Sequence, residues 1–176
     1  MAVFSSTQVG MLIVLTAIAV LYQVELDYDP LIVQEKAVVA RSPEDVFKFM
    51  SDIFNYPEWT GIIKRIVPLD DSSLGVGKTF HMHMSVPIGL KRYHTVVQSY
   101  KPGSLLALTI DMEFLHPTVV IEVNEDERPG MSKVTMKVYS SRRSYLFRGT
   151  LLPISKFVIT GHLQGALFHM KLLMQQ

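Results

Sequence analysis

Three histidines and one carboxylate–histidine pair are the groups with obvious chemical potential. His81 and His83 flank Met82 on a segment of strand character, so both rings leave the same face. His94 falls on the next such segment. Three imidazoles are a metal-binding donor set. The apolar residues alternating with them are Phe80, Met82 and Met84. If that apolar face is inside, the histidines point outward, so no metal ligand and no cofactor is assigned. Glu113 and His116 stand just before Pro117, where a carboxylate and an imidazole could exchange a proton with a ligand at a cavity mouth. No Asp-His-Ser order or nucleophile motif accompanies them, and no catalytic residue is assigned. Arg142, Arg143 and Arg148 cluster ahead of the last segment, where they could meet anionic headgroups. His162 and His169, seven apart near the end, suit the polar side of a helix. The chain has no Cys, which excludes disulfides, thiol catalysis, Cys-ligated zinc and iron–sulfur clusters. With 17 basic and 16 acidic residues the net charge is +1, and nothing resembles the basic footprint of a nucleic-acid binder.

The elements that must position these groups follow from composition. A chain of 176 residues is one domain's worth of sequence. Hydrophobic residues make up 48% and charged residues only 19%, with a mean hydropathy of +0.25. The charge deficit is local, because residues 1–24 contain no Asp, Glu, Lys, Arg or His. Val9–Val24 is nearly continuous apolar sequence. As a helix it covers ~24 Å, and the whole charge-free run ~36 Å, against a hydrocarbon core of ~30 Å. We therefore expect a single-pass membrane anchor over residues 1–26, a short linker at 27–30 ending at Pro30, and one folded domain over 31–176. Two rival readings are a cleaved signal peptide, with Ala17-x-Ala19 as its site but no basic n-region, and a buried core helix. Lys36, Arg41 and Lys48 follow the span and no basic residue precedes it, which places the domain on the cytosolic or matrix side.

Leu31–Ala40 is rich in β-branched residues and reads as a strand. Ser42-Pro43-Glu44-Asp45 is a helix start, with a capping hydroxyl, Pro at the first turn and two acids facing the dipole. A short helix to about residue 53 and a second around Asn55–Trp59 follow. Strands are predicted over 62–69, 78–86, 91–100, 104–114, 118–125 and 131–143, joined by Gly- and Pro-bearing turns and therefore antiparallel. Thr150–Met174 reads as a long helix capped by Thr150. Ile154, Phe157, Val158, Gly161, Gly165, Phe168 and Leu172 recur on one face of it, and that face is expected to meet the sheet.

Three local signatures carry a resemblance. They are Ser42–Met50 (SPEDVFKFM), then Asn55-Tyr56-Pro57-Glu58-Trp59 followed by a strand and Gly75-Val76-Gly77, and then Tyr100-Lys101-Pro102-Gly103. In this order the sequence resembles the polyketide cyclase and lipid-transport-like members of the START-like helix-grip superfamily (SRPBCC) across roughly residues 31–174. The N-terminal helix is a departure from its many soluble members. The resemblance implies an α+β helix-grip fold: a curved antiparallel sheet of six to seven strands around a long C-terminal helix, with two short helices after the first strand. It also implies a hydrophobic cavity between sheet and helix.

The residues expected to line that cavity are Phe47 and Trp59 of the short helices, and Phe80, Met82, Met84, Leu108, Ile110, Met112, Ile121 and Met136 of the strands. Phe157, Gly161, Gly165 and Phe168 of the last helix complete the set. Methionine's flexible thioether suits a wall that adapts to apolar ligands. The chain is therefore expected to be a membrane-anchored binder or carrier of a lipid, sterol or prenylquinone, with the membrane and other membrane-protein subunits as partners. An accessory structural subunit and a cyclase- or dehydratase-type enzyme are the alternatives.

Overall fold

The computed structural model describes residues 5–25, 30–113 and 115–175. An N-terminal helix, α1 (Ser6–Gln23), is followed by strand β1 (Leu31–Val39). The short helices α2 (Pro43–Ser51) and α3 (Tyr56–Trp59) come next, linked by a 3₁₀ turn at Ile53–Asn55. Six further strands run as β2 (Ile63–Pro68), β3 (Thr79–Val86), β4 (Gly89–Lys101), β5 (Leu105–Ile110), β6 (Pro117–Glu125) and β7 (Ser132–Ser140). Helices α4 (Tyr145–Gly149) and α5 (Leu151–Met174) close the chain. The predicted linker falls mostly on residues 26–29, and the predicted end of the 104–114 strand on Phe114; these lie outside the described residues.

The seven strands form one antiparallel sheet in the order β1-β7-β6-β5-β4-β3-β2. Strands β2 to β7 are a meander of adjacent hairpins. The excursion through α2 and α3 carries the chain from β1, at one edge, to β2 at the other. Register shifts at Leu31/Val33, Ile63/Arg65 and Val97/Ser99 bend the strands locally, as bulges do, and the sheet is curved. The apolar alternation read at Phe80, Met82 and Met84 recurs along the other strands. Phe80, Met82, Met84, Leu106, Leu108, Ile110, Ile121, Val123, Val134, Met136 and Val138 are all buried on the concave face.

Local chemistry explains the helices. Ser42 caps α2, its hydroxyl accepting from the Asp45 amide at 3.2 Å, and the helix buries Val46, Phe47 and Met50. Burial of each such side chain is worth roughly 1.5–3 kcal/mol. Ser144 caps α4 in the same way, accepting from the Phe147 amide. Thr150 does not cap α5 as predicted. Its hydroxyl donates back to the Leu146 carbonyl at 2.6 Å, so it closes α4, a helix the sequence pattern does not announce.

Helix α5 departs from expectation in its orientation. Its buried residues are Leu163, Ala166, Leu167 and Met170. The face predicted to be inner is the outer one: Phe157 is 83% exposed and Phe168 61%, and Gly161 is exposed with open space where a Cβ would stand. At ~100° per residue the two sets lie roughly 180° apart. The helix is apolar on two opposite sides, and periodicity alone does not say which one faces the sheet.

Helix α1 has no buried residue. It is long and apolar enough to cross a membrane, a test that a signal sequence also passes. It packs mainly against α4. The Tyr145 amide donates to the Val24 carbonyl at 3.0 Å, and Glu25 bridges to Ser144.

Candidate ligand-binding site

Between the concave face and α5 lies an apolar cavity of about 100 Å³. Met82 and Met84 of β3, Leu108 and Ile110 of β5, Val119 and Ile121 of β6 and Met136 of β7 form its floor. Tyr56, Trp59, Thr60, Ile62 and Ile63 form one wall, and His162, Leu163 and Ala166 of α5 the roof. Larger surface depressions exist, such as one of about 570 Å³ lined by Lys48, Asp52, Asp70, Lys78 and Phe80. That one is open, and charged side chains edge it. At its rim Lys78, itself buried, donates to the Asp70 carboxylate at 2.7 Å. The hydrogen bonds from Lys78 and Ser72 hold the Asp70 carboxyl well below the usual carboxylate range. It is a structural ion pair at a loop.

Two features of the wall are chemical. Tyr56 and Trp59 pack edge to face, ring centroids 4.9 Å apart, and are 3% and 0% exposed. The Tyr56 hydroxyl and the Trp59 indole N–H are buried without a hydrogen-bond partner among the described residues. The third such atom, the Thr95 hydroxyl, belongs to a residue outside the cavity lining. Leaving a buried donor unpaired costs roughly 1–3 kcal/mol. Burial, with the nearby Asp52 charge adding to it, pushes the Tyr56 hydroxyl far above its ordinary range. Tyr56 is therefore a neutral donor at any physiological pH. Of the polar residues in the lining, Thr60 is half-buried and His162 exposed.

Of the residues expected to line the site, Trp59, Met82, Met84, Leu108, Ile110, Ile121 and Met136 are brought together there. Phe47 and Phe80 are buried in the core beyond the lining, with Phe47 stacked 6.1 Å from Tyr100. Met112 is half-buried and packs against the core, and Gly165 is half-buried on α5. Phe157, Gly161 and Phe168 are corrected to the outer face, for the reason given above. Tyr56, Thr60, Ile62, Ile63, Val119, His162, Leu163 and Ala166 were missed. Tyr56 sits inside the Asn55–Trp59 signature, and Leu163, Ala166, Leu167 and Met170 show helical spacing of their own.

The other polar candidates lie elsewhere. His81 and His83 alternate with the buried Met82 and Met84 and leave the sheet on its convex side. His81 stands across from His94, ring centroids 6.1 Å apart. Partial desolvation and the neighbouring Arg92, His94 and His83 lower the His81 pKa. His116 pairs with the Asp111 carboxylate at 3.2 Å, whereas Glu113 is exposed and its carbonyl accepts from Arg142. The expected Glu113–His116 pair is therefore replaced by Asp111–His116, and neither carboxylate lines the cavity.

The model of the polyketide cyclase/dehydrase and lipid transport family matches residues 30–174. The chain belongs to that family. Solved structures agree on the fold. A START superfamily protein from Mycobacterium smegmatis shares 14% identity at a TM-score of 0.67, with 82% of this chain and 97% of that one covered. The di-domain ARO/CYC protein StfQ of the steffimycin biosynthetic pathway shares 13% identity at a TM-score of 0.62, covering 81% of this chain and 50% of that one. The Bacillus cereus protein XoxI shares 14% identity at a TM-score of 0.62, covering 82% and 95%. No curated protein sequence matches the chain. As a family member it has the helix-grip architecture of a hydrophobic-ligand-binding domain.

Proposed function

We propose that this family member is a membrane-anchored binding domain for an apolar small molecule that carries a hydrogen-bond acceptor, of the lipid, sterol or prenylquinone class. One observation carries the proposal: a nearly all-apolar cavity lined in part by Tyr56 and Trp59, whose buried hydroxyl and indole N–H have no hydrogen-bond partner among the described residues. Apolar ligand surface leaving water contributes ~25 cal/mol per Å². A carbonyl, ether or hydroxyl oxygen reaching the two donors would relieve their desolvation cost and orient the ligand. In this proposal α1 is the anchor, residues 31–176 are the binding domain, and binding is sequestration without turnover.

Size shapes the proposal. The cavity of about 100 Å³ is below the ~300–1,000 Å³ of ordinary ligand pockets. It accepts a ring or short headgroup, and a longer ligand requires widening. Met82, Met84 and Met136 in the wall re-pack easily, and the first half of α5 has no buried residue, so little burial holds that half against the sheet. A second reading, an accessory subunit of a membrane complex, draws on the same small cavity together with the apolar outer side of α5.

Trp59 is the chain's single tryptophan and reports directly on the site. Full-length protein in nanodiscs is titrated with a short-chain benzoquinone, whose carbonyls accept hydrogen bonds and whose ring quenches indole emission. Saturable quenching that Ala166→Phe abolishes supports the proposal. Linear, non-saturating quenching in both proteins rejects it.

A further inference from the structure

Helix α5 has an outward apolar stripe that the domain leaves uncovered. Leu151, Ile154, Phe157, Val158, Phe168 and Leu172 are exposed along it. The stripe lies roughly opposite the face that packs on the sheet, taking ~100° per residue. Single exposed apolar residues need no explanation, but a row of them with two phenylalanines on one helix face marks an interaction surface. The first half of α5, up to Gly161, contains no buried residue.

We propose that this stripe lies on the bilayer surface, with the helix in the interfacial plane. The inference rests on the reading of α1 as a membrane span. Two observations choose lipid as the occupant. The first is continuity. The end of α1 is hydrogen-bonded to the start of α4 through Val24 and Tyr145, and α5 begins at Leu151, directly after α4. A five-residue helix is only ~7.5 Å long, so α5 starts where the span would leave the membrane. The Arg142 guanidinium stands 5.8 Å from the Tyr22 ring at that point, an aromatic and a cation of the kind that sit at headgroup level. The second is charge. No Asp or Glu follows Glu127, whereas Arg142, Arg143, Arg148, Lys156 and Lys171 do. A helix with an outward apolar stripe and no acidic side chain is the pattern of an interfacial helix on anionic lipid, which cations near the surface reinforce.

The arrangement has a consequence for the cavity. His162, at the cavity rim, falls between the buried and outward stripes of α5, about 90° from each at ~100° per residue. With the outward stripe on the bilayer, the α3–α5 side of the cavity lies beside the lipid headgroups. An apolar ligand then passes from membrane to cavity without crossing bulk water.

The absence of Cys makes the test clean. Single substitutions Ile13→Cys, Phe157→Cys and Glu127→Cys are labelled with an environment-sensitive fluorophore. The full-length protein is reconstituted in phosphatidylcholine vesicles containing phosphatidylglycerol and nitroxide-bearing acyl chains. Glu127 lies at the β6–β7 turn, the far end of those strands from α4. The labels at 13 and 157 are expected to be quenched several-fold more strongly than the label at 127. Omitting phosphatidylglycerol is expected to weaken quenching at 157 but not at 13. Quenching at 13 without quenching at 157 overturns the proposal and leaves the anchor standing. Quenching at neither position overturns both. A disulfide-linked dimer forming readily through unlabelled Phe157→Cys overturns the proposal in favour of a second copy of the chain on the stripe.

Discussion

Tyr56→Phe separates folding from binding because it should move them in opposite directions. The Tyr56 hydroxyl is buried, without a partner among the described residues, in a residue 3% exposed. Removing an unpaired buried hydroxyl recovers part of a desolvation cost of roughly 1–3 kcal/mol. The ring stays, so its contact with Trp59 at 4.9 Å is kept. Taking the low end, the ligand-free protein gains about 1 kcal/mol, which for a chain of this size is a rise of ~2–4 °C in Tm. A ligand acceptor bonded to that hydroxyl loses ~0.5–1.5 kcal/mol, or ~2–10-fold in affinity. Stability is read by reversible denaturation in detergent followed through Trp59 emission, and affinity by benzoquinone quenching of the same residue. A fall in the stability of the ligand-free variant would show that the hydroxyl is already satisfied, and the donor argument would fail. Unchanged affinity would remove Tyr56 from recognition.

Further expectations follow from named residues. Ala166→Phe, at the cavity roof, should abolish quenching while costing no more than the ~1–3 kcal/mol of an overpacked core; unchanged affinity in a folded variant would place the ligand elsewhere. Gly161→Ala adds a Cβ in open space on α5 and should stabilise by ~0.5–1 kcal/mol, measured by thermal denaturation; destabilisation would mean the outward face of α5 is packed. The lowered His81 pKa means that the unfolded chain takes up its proton first as pH falls. Stability should therefore decline as pH drops through the ordinary histidine range near ~6.5. His81→Gln should flatten that slope, and an unaltered slope in denaturation midpoints would contradict the assignment.

The sequence carried the sheet well, and the reason is physical. Alternation along Phe80, Met82, Met84 and along Leu106, Leu108, Ile110 has only two faces to choose between, and only one is continuously apolar. The helix start at Ser42-Pro43 was legible because caps are local chemistry, decided within four residues. Helix α5 was legible as a helix but not in rotation. Phe157 and Phe168 offered larger side chains than Leu163, Ala166 and Met170, yet the latter set packs against the sheet. Apolar periodicity is no guide to rotation when a helix is apolar on two opposite sides. Helix α4 was missed because Tyr145–Gly149 is too short for a period to register. The donors were half visible: Trp59 was singled out, but Tyr56 gains its meaning from being buried with no partner among the described residues, a tertiary fact.

The central claim is that the cavity under α5 holds an apolar molecule bearing an acceptor. Native mass spectrometry of full-length protein released from nanodiscs, beside Ala166→Phe handled identically, tests it most directly. The account predicts a single small-molecule adduct on the parent protein, identified by fragmentation as an apolar compound with a carbonyl, ether or hydroxyl oxygen, and its loss from the variant. A parent protein that carries no adduct after incubation with a membrane lipid extract, or an adduct equally present on both proteins, would contradict it.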